Sequence, residues 1–272
     1  MYNQFFGFNE KPFSQTPDTR YLYLSRQHDE ALSTLLYGIE NRCGFMLLTG
    51  EVGSGKTTMI RTLLNLLSDS VETCLVLNSL LNTLDLLKSI NRDFGNDWQF
   101  DSHQKQIEIL NQFLLEVNQS GKTVVVIIDE AQNLSNEALE MTRMLSNLET
   151  ETAKLITIIL AGQPELEEKL SQKEMRQLSQ RIQIHARLKP FSLDQTKDYI
   201  AHRISCSGDK THAQFKDEAI KRIYKKTRGI PRLINNLCDL GLLAAFSQST
   251  YVVDKKIIQR ALKEVPQYVY YS

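Results

Sequence analysis

Residues 47–58 read LLTGEVGSGKTT, an apolar run that breaks into a glycine-studded turn and ends in a lysine and two threonines. An apolar run bounded by glycine reads as a short buried strand, and the residues after the turn are helical in character to about Leu67. Gly50, Gly53 and Gly55 allow backbone geometries closed to other residues and let amide N–H groups approach an anion. Gly50 to Thr57, GEVGSGKT, fits G-x-x-x-x-G-K-[ST] at every position. The motif follows a predicted strand and opens a predicted helix, a context that a chance glycine turn lacks. The helix adds the positive end of its dipole. Gly50, Glu51, Val52, Gly53, Ser54, Gly55, Lys56, Thr57 and Thr58 are therefore the candidate nucleotide-binding residues. Lys56 is placed to reach the β- and γ-phosphates, and the Thr57 hydroxyl to ligate Mg²⁺.

The rest of the chain repeats this alternation of strand and helix. GFMLLTG, VETCLVLNS, KTVVVIIDE, KLITIIL and RIQIHARL read as five strands. Helices are expected between them, around Leu84–Ile90, around Ile107–Val117 with Asp101 or Ser102 as cap, and along SNEALEMTRMLSNLET. The continuous apolar strand VVVII belongs in a parallel sheet covered on both faces. The expectation is a doubly wound α/β domain with a five-stranded parallel sheet and helices on both faces. Only 12 glycines and 6 prolines punctuate 272 residues, about half the ~12 % average usage, which suits long helices rather than a turn-rich β protein.

Two segments flank that pattern. Residues 1–24 are rich in Phe and Tyr and read as an ordered extended arm, before a helix from Ser25 carrying Ala31, Leu35 and Ile39 at helical spacing. After LKPF, Ser192 and Gln195 form a capping-box pattern, and helices follow to about Cys206 and near 215–227, 231–246 and 254–264, with a hint of strand at YVV. Residues 1–189 are expected to be the arm plus nucleotide-binding domain, and 190–272 a small all-helical lid with its tail.

Cys43, Cys74, Cys206 and Cys238 are scattered and read as buried apolar residues of a reducing compartment. His202 and Cys206 stand at i,i+4 without a second pair to complete a zinc site. No run approaches the ~18 apolar residues of a membrane span, and the N-terminus lacks a secretory signal, so a soluble cytoplasmic protein is expected. Lys+Arg and Asp+Glu balance at 32 each, which gives no whole-chain pull toward nucleic acid or membrane.

The chemistry gathers at strand ends. Asp129 emerges at the carboxyl end of VVVII, where open α/β sheets bind ligands, and is the candidate to hold Mg²⁺. Glu130 beside it is available to orient and polarise an attacking water. Gln163 follows Gly162 at the end of another strand. Its amide either contacts the γ-phosphate or lytic water, or caps the turn before Pro164; spacing serves both readings equally. Arg176 and Arg181 precede the fifth strand, either as surface arginines or as a cation aimed at a neighbouring subunit's γ-phosphate. Arg232, beside Pro231 at a helix start, stands to report nucleotide state to the lid.

Together these residues resemble the AAA+ ATPases. The resemblance makes 50–57 the Walker A motif, 124–130 Walker B, Gln163 sensor 1 and Arg232 sensor 2. LSQRIQIHARLKP resembles the finger segment of clamp-loader-type members and favours Arg181 over Arg176. A finger acting in trans implies a homo-oligomer, often a ring. FGFNEKPFSQTPDTRYLYLS, DEAQNLS, LSNLET, AGQPEL, QRI and GIPRLINNLCD, in that order, are similar to the ATPase domain of the general secretion pathway protein A family, with relatives in MSHA-type pilus biogenesis. That resemblance implies ATP and Mg²⁺ as cofactors and places Phe13, Pro17, Tyr21 and Tyr23 beside adenine; from the residues alone, the arm equally reads as packing against the lid.

Family members continue into a membrane span and a peptidoglycan-binding module, and neither is present up to Ser272, so a short pilus-biogenesis relative is the expectation. Its cytoplasmic ATPase would act through a partner in the membrane apparatus, which would recruit it to the inner membrane. The tyrosine-rich tail YVYYS is a candidate for docking a partner or a mobile end. The competing reading is a DNA-associated ATPase like the TnsC and TniB transposition regulators, for which Lys221, Arg222, Lys225, Lys226, Arg228 and Arg232 would supply a basic face.

Overall fold

The computed structural model describes residues 2–16, 18–77, 80–151 and 153–264. Its central sheet has five parallel strands: β1 (Phe45–Gly50), β2 (Val71–Val76), β3 (Thr123–Ile128), β4 (Thr157–Gly162) and β5 (Ile184–Leu188), in the order β2-β3-β4-β1-β5. Side chains alternate between two apolar cores. Phe45, Leu47, Val124, Val126, Ile158 and Leu160 enter one; Met46, Leu48, Val125, Ile127, Ile159 and Ala161 enter the other. This two-sided burial is why β1, β3 and β4 read as unbroken apolar runs.

Helices Arg26–Glu40 and Lys56–Leu66 supply the second core, through Leu35, Ile39, Met59 and Leu63. The first core is closed by helices Thr83–Asp93, His103–Gln119, Asn136–Leu145 and Pro164–Leu170. Side chains of Asn82, Ser102 and Ser135 cap the first three of these, each accepting a backbone N–H. β5 differs from its neighbours: Ala186 and Leu188 are buried while His185 and Arg187 face outward on this edge strand.

Several boundaries depart from the sequence expectation. The helix from Asn136 stops at Leu145; the chain then turns, and Glu149 bridges antiparallel to Lys154. Arg181 and Ile182 lie in the turn after a short helix, Arg176–Ser179, so β5 begins only at Ile184. The N-terminal arm is not extended throughout, because Tyr2–Phe6 is helical and Thr19–Tyr21 is a 3-10 turn.

The helical residues beyond Lys189 have a core of their own, made by helices Leu193–Cys206, Asp217–Thr227, Pro231–Ser247 and Lys255–Glu264. The capping box at Ser192 and Gln195 is formed. The strand hinted at YVV is a two-residue pairing of Val252–Val253 with Gln214–Phe215. Phe6, Phe8 and Phe13 of the arm are buried in this core. Arg203, itself buried, donates from Nε to the Pro12 carbonyl at 2.5 Å and from Nη2 to the Ser14 carbonyl at 2.9 Å, with its guanidinium 4.4 Å from the Tyr21 ring centre.

By compactness the chain divides into one unit of residues 1–28, 51–58 and 189–272 and another of 29–50 and 59–188. This grouping differs from two consecutive segments meeting at 189/190, since the arm and the glycine loop belong with the helical residues. Pro17 and the tyrosine-rich tail, residues 265–272, lie outside the described residues. Among the described residues no helix is long and apolar enough to cross a membrane.

Candidate nucleotide-binding and catalytic site

The glycine loop leaves the carboxyl end of β1, between neighbours β4 and β5. Helix Lys56–Leu66 returns on one face of the sheet, whereas the later connections cover the other. This reversal of winding is where open α/β sheets present their ligand crevice. Gly53 and Gly55 adopt φ of 78° and 101°, in the region that favours glycine. A Cβ on Gly53 would also meet the Arg232 Cβ at 2.4 Å. The Arg232 N–H donates to the Gly53 carbonyl at 3.1 Å, so the first turn of helix Pro231–Ser247 is hydrogen-bonded to the loop.

Lys56 is 5 % exposed and donates from Nζ to the Glu51 carbonyl at 3.2 Å. Thr57 and Thr58 fall in the first turn of the helix that Lys56 opens, and Val52 is exposed at the rim. The Ser54 hydroxyl is buried with no hydrogen-bond partner among the described residues. Buried polar groups are nearly always satisfied, and an orphaned donor beside a buried cation and two left-handed glycines fits a phosphate group well.

His28 braces this loop, and no motif had singled it out. The residue is 2 % exposed; its Nδ1 lies 2.7 Å from the Ser25 hydroxyl, and it hydrogen-bonds the backbone of Ser54. Burial holds its pKa below the ordinary histidine value. The helix that contains it was legible in the sequence; the direction of the ring was not.

The arm supplies a second support. Gln15 donates to Asn236 Oδ1 at 2.6 Å and to the Arg232 carbonyl at 3.3 Å. Tyr23 packs edge-on against Phe191 and Tyr199, and its hydroxyl donates to Asp198 at 3.4 Å. Tyr21 and Phe13 are buried. The arm therefore does pack against lid helices, one of the two readings its sequence allowed.

The acids stand at the carboxyl end of β3. The Asp129 N–H donates to the Val76 carbonyl, which fixes the strand tip, and Asp129 is buried. Its Oδ1 accepts the Glu130 N–H at 2.9 Å. Glu130 has φ 52° and ψ 39°, a left-handed conformation in a residue that carries a Cβ. Two amides hold its carboxylate: Gln132 Nε2 donates to Oε2 at 2.6 Å and Gln163 Nε2 donates to the same oxygen at 2.9 Å. Gln163 also donates its backbone N–H to Gln132 Oε1 at 3.2 Å. Of the two readings open for Gln163, its side chain makes no cap bond to the helix at Pro164 and instead fixes Glu130. Gln132 was missed in the sequence, although it stands two residues after Glu130 in DEAQ. Gly162 leaves it room, since a Cβ there would meet Gln132 Oε1 at 2.9 Å.

Arg181 is not with these acids. It lines a cavity of about 230 Å³ with Gly44, Phe45, Ser146, Lys154, Gln180 and Gln183, at the amino-terminal end of β1. The acids stand at the carboxyl ends of the parallel strands, so the length of a strand, about 20 Å for six residues, separates the two positions. Arg176 is exposed at the start of its short helix.

The topology and the glycine loop define a P-loop nucleoside-triphosphatase fold of the AAA type, and the family model described as AAA domain matches residues 39–170. Cdc6p from Pyrobaculum aerophilum shares the fold with TM-score 0.70 and 17 % identity, over 94 % of this chain and 71 % of that one. The Aeropyrum pernix ORC2 protein does so with TM-score 0.69 and 16 % identity, over 94 % and 72 %.

More particularly, the chain is a relative of general secretion pathway protein A. It is 41 % identical to that protein from Aeromonas hydrophila over 266 residues, 97 % of this chain and 48 % of the relative. The chain spans about half the length, or less, of the curated relatives it matches.

Proposed function

We propose that this chain is an ATP hydrolase that drives or switches assembly of a secretion or type IV pilus apparatus. The observation that carries the hydrolytic half is the Glu130 carboxylate, fixed by Gln132 and Gln163 one residue beyond Asp129. A carboxylate held at one oxygen by two neutral amides is fixed in orientation, as a group that positions and polarises water requires.

In this reading the loop amides and Lys56 seat the triphosphate, while Tyr23 and its arm neighbours form the adenine side. Thr57 and Asp129 hold Mg²⁺, which neutralises phosphate charge when bound. Glu130 orients the attacking water and Gln163 keeps Glu130 aligned. Arg232, whose N–H is tied to the loop, carries nucleotide state into the helical residues. The position of Arg181, far from its own chain's acids, supports a shared site in a homo-oligomer, where this arginine stabilises charge on the neighbour's γ-phosphate. Kinship with general secretion pathway protein A supports the apparatus half, with a membrane-apparatus protein as partner.

Measurement of ATP binding and phosphate release by Glu130→Gln tests the enzyme. ATP is expected to remain bound while turnover falls by ~10²–10⁴-fold; undiminished turnover would remove Glu130 from the chemistry.

A further inference from the structure

A glycine loop that binds an anion must be kept from turning its peptides over. Between Gly53 and Gly55, both at positive φ, a peptide plane can rotate at little steric cost. Such a rotation would present a carbonyl oxygen where the anion needs an N–H. The Gly53–Ser54 peptide is held from both sides: the Gly53 carbonyl accepts the Arg232 N–H at 3.1 Å, and the Ser54 N–H donates to the Glu51 carbonyl at 3.0 Å. The next peptide, Ser54–Gly55, has no backbone partner among the described residues.

Its orienting contact comes from His28. The ring is buried 5.3 Å from the Phe191 ring centre, and Nδ1 meets the Ser25 hydroxyl at 2.7 Å, which leaves Nε2 for the backbone of Ser54. With the Ser54 N–H already given to Glu51, the group left for the ring is the Ser54 carbonyl, which only accepts. Nε2 therefore carries the hydrogen, and in the neutral ring Nδ1 accepts the Ser25 O–H. The peptide is trans, so its C=O and N–H point in opposite directions. Fixing the Ser54 carbonyl toward His28 turns the Gly55 N–H away from the ring. That N–H has no acceptor among the described residues, and the space beside Gly55 is open, since a Cβ there would meet nothing within 4 Å.

We propose that His28 is a positioning residue for the phosphate chain of a nucleoside di- or triphosphate: it holds the Ser54 carbonyl and so presents the Gly55 N–H to the anion. This role rests on the nucleotide-binding reading of the loop and names what sets that loop before the ligand arrives. The ring itself touches no phosphate. It removes a reorganisation that binding would otherwise have to drive, which strengthens affinity without adding a contact to the ligand. Loop amides cradle the α- and β-phosphates, so ADP and ATP depend on His28 alike. The water-orienting chemistry at Glu130 does not. Ser25 acts one step further back, because its hydroxyl keeps Nδ1 an acceptor and Nε2 the donor.

The test is calorimetric titration of ADP and of ATP, each with Mg²⁺, into the full wild-type chain and into His28→Gln and His28→Asn. Glutamine puts an amide donor where Nε2 stood, whereas asparagine puts one where Nδ1 stood. His28→Asn should weaken ADP and ATP binding equally, by about 10–100-fold, the worth of one hydrogen bond to a charged group. His28→Gln should keep most of the affinity. Phosphate release should show the loss in KM for ATP, with kcat at saturating ATP close to wild type. A role in packing alone would instead lower the melting temperature of both variants without separating their affinities. Heteronuclear NMR of the imidazole in the nucleotide-free wild-type protein reads the tautomer and needs no variant to fold; the hydrogen is expected on Nε2. A hydrogen on Nδ1, wild-type affinity in His28→Asn, or equal losses in the two variants would overturn the proposal and leave the loop a nucleotide site. Failure of the wild-type chain to bind either nucleotide would remove the nucleotide-binding reading and this role together.

Discussion

Glu130 is held in a left-handed backbone conformation that costs a residue with a Cβ roughly 1–2 kcal/mol. That expense is offset by the amide bonds from Gln132 and Gln163, which lock the carboxylate in place. Gln132→Ala should therefore lower kcat by about 10–100-fold, the worth of one hydrogen bond to a charged group, with little change in KM for ATP. Steady-state phosphate release checks this, and an unchanged kcat would leave Gln132 a bystander. His28 makes a prediction in pH. Its folded pKa lies below its unfolded value, so the unfolded chain binds the extra proton as acid is added. The stability His28 contributes is complete above the unfolded pKa, near 6.5, and is lost as pH falls from there toward the folded pKa. Melting temperature should drop between about pH 7 and pH 5, and His28→Asn should flatten that slope; parallel profiles would exclude the ring as its source. Sequence reading singled out Glu130 and passed over Gln132 and His28. Glu130 follows Asp129 at a strand tip, a pattern with its own chemistry, whereas the other two matter only through what their side chains reach.

At the scale of elements, two attachments stand out within the unit that contains the loop. Helix Pro231–Ser247 begins against Gly53, so Gly53→Ala should strain the left-handed loop by roughly 1–2 kcal/mol and push against Arg232 as well. Weaker ATP binding in calorimetry, with the helical content unchanged, is the expected result; wild-type affinity would show that the approach of the helix is unimportant. Arg203 is the second attachment. Arg203→Ala leaves the carbonyls of Pro12 and Ser14 without their donor and removes the cation from the Tyr21 face, a loss of about 2–4 kcal/mol. Limited proteolysis should then cut early in the arm. Arg203→Lys should not restore protection, because a single ammonium cannot fork to both carbonyls. The aromatic arm was legible as ordered because free tails rarely carry so many rings. Its short helix and 3-10 turn were not, since neither has an apolar period of its own and both are fixed by what they pack on.

For the whole molecule, the separation of Arg181 from the acids of its own sheet gives the sharpest expectation. Arg181→Ala should bind ATP normally yet turn over slowly, and mixing it with Glu130→Gln should restore part of the activity through mixed interfaces. No recovery at any ratio would count against shared sites. The five strands, the helices between them, the glycine loop and both acids were written in the chain, because a 2-residue or 3.6-residue apolar period and a phosphate-binding turn are local properties. Packing alone decided that Gln163 grips Glu130 rather than capping its helix, that His28 turns toward Ser54, and that Arg181 ends a strand's length from the acids. Each of these depends on which side chains meet across distant segments, and a linear sequence records spacing along the chain, not distance through space.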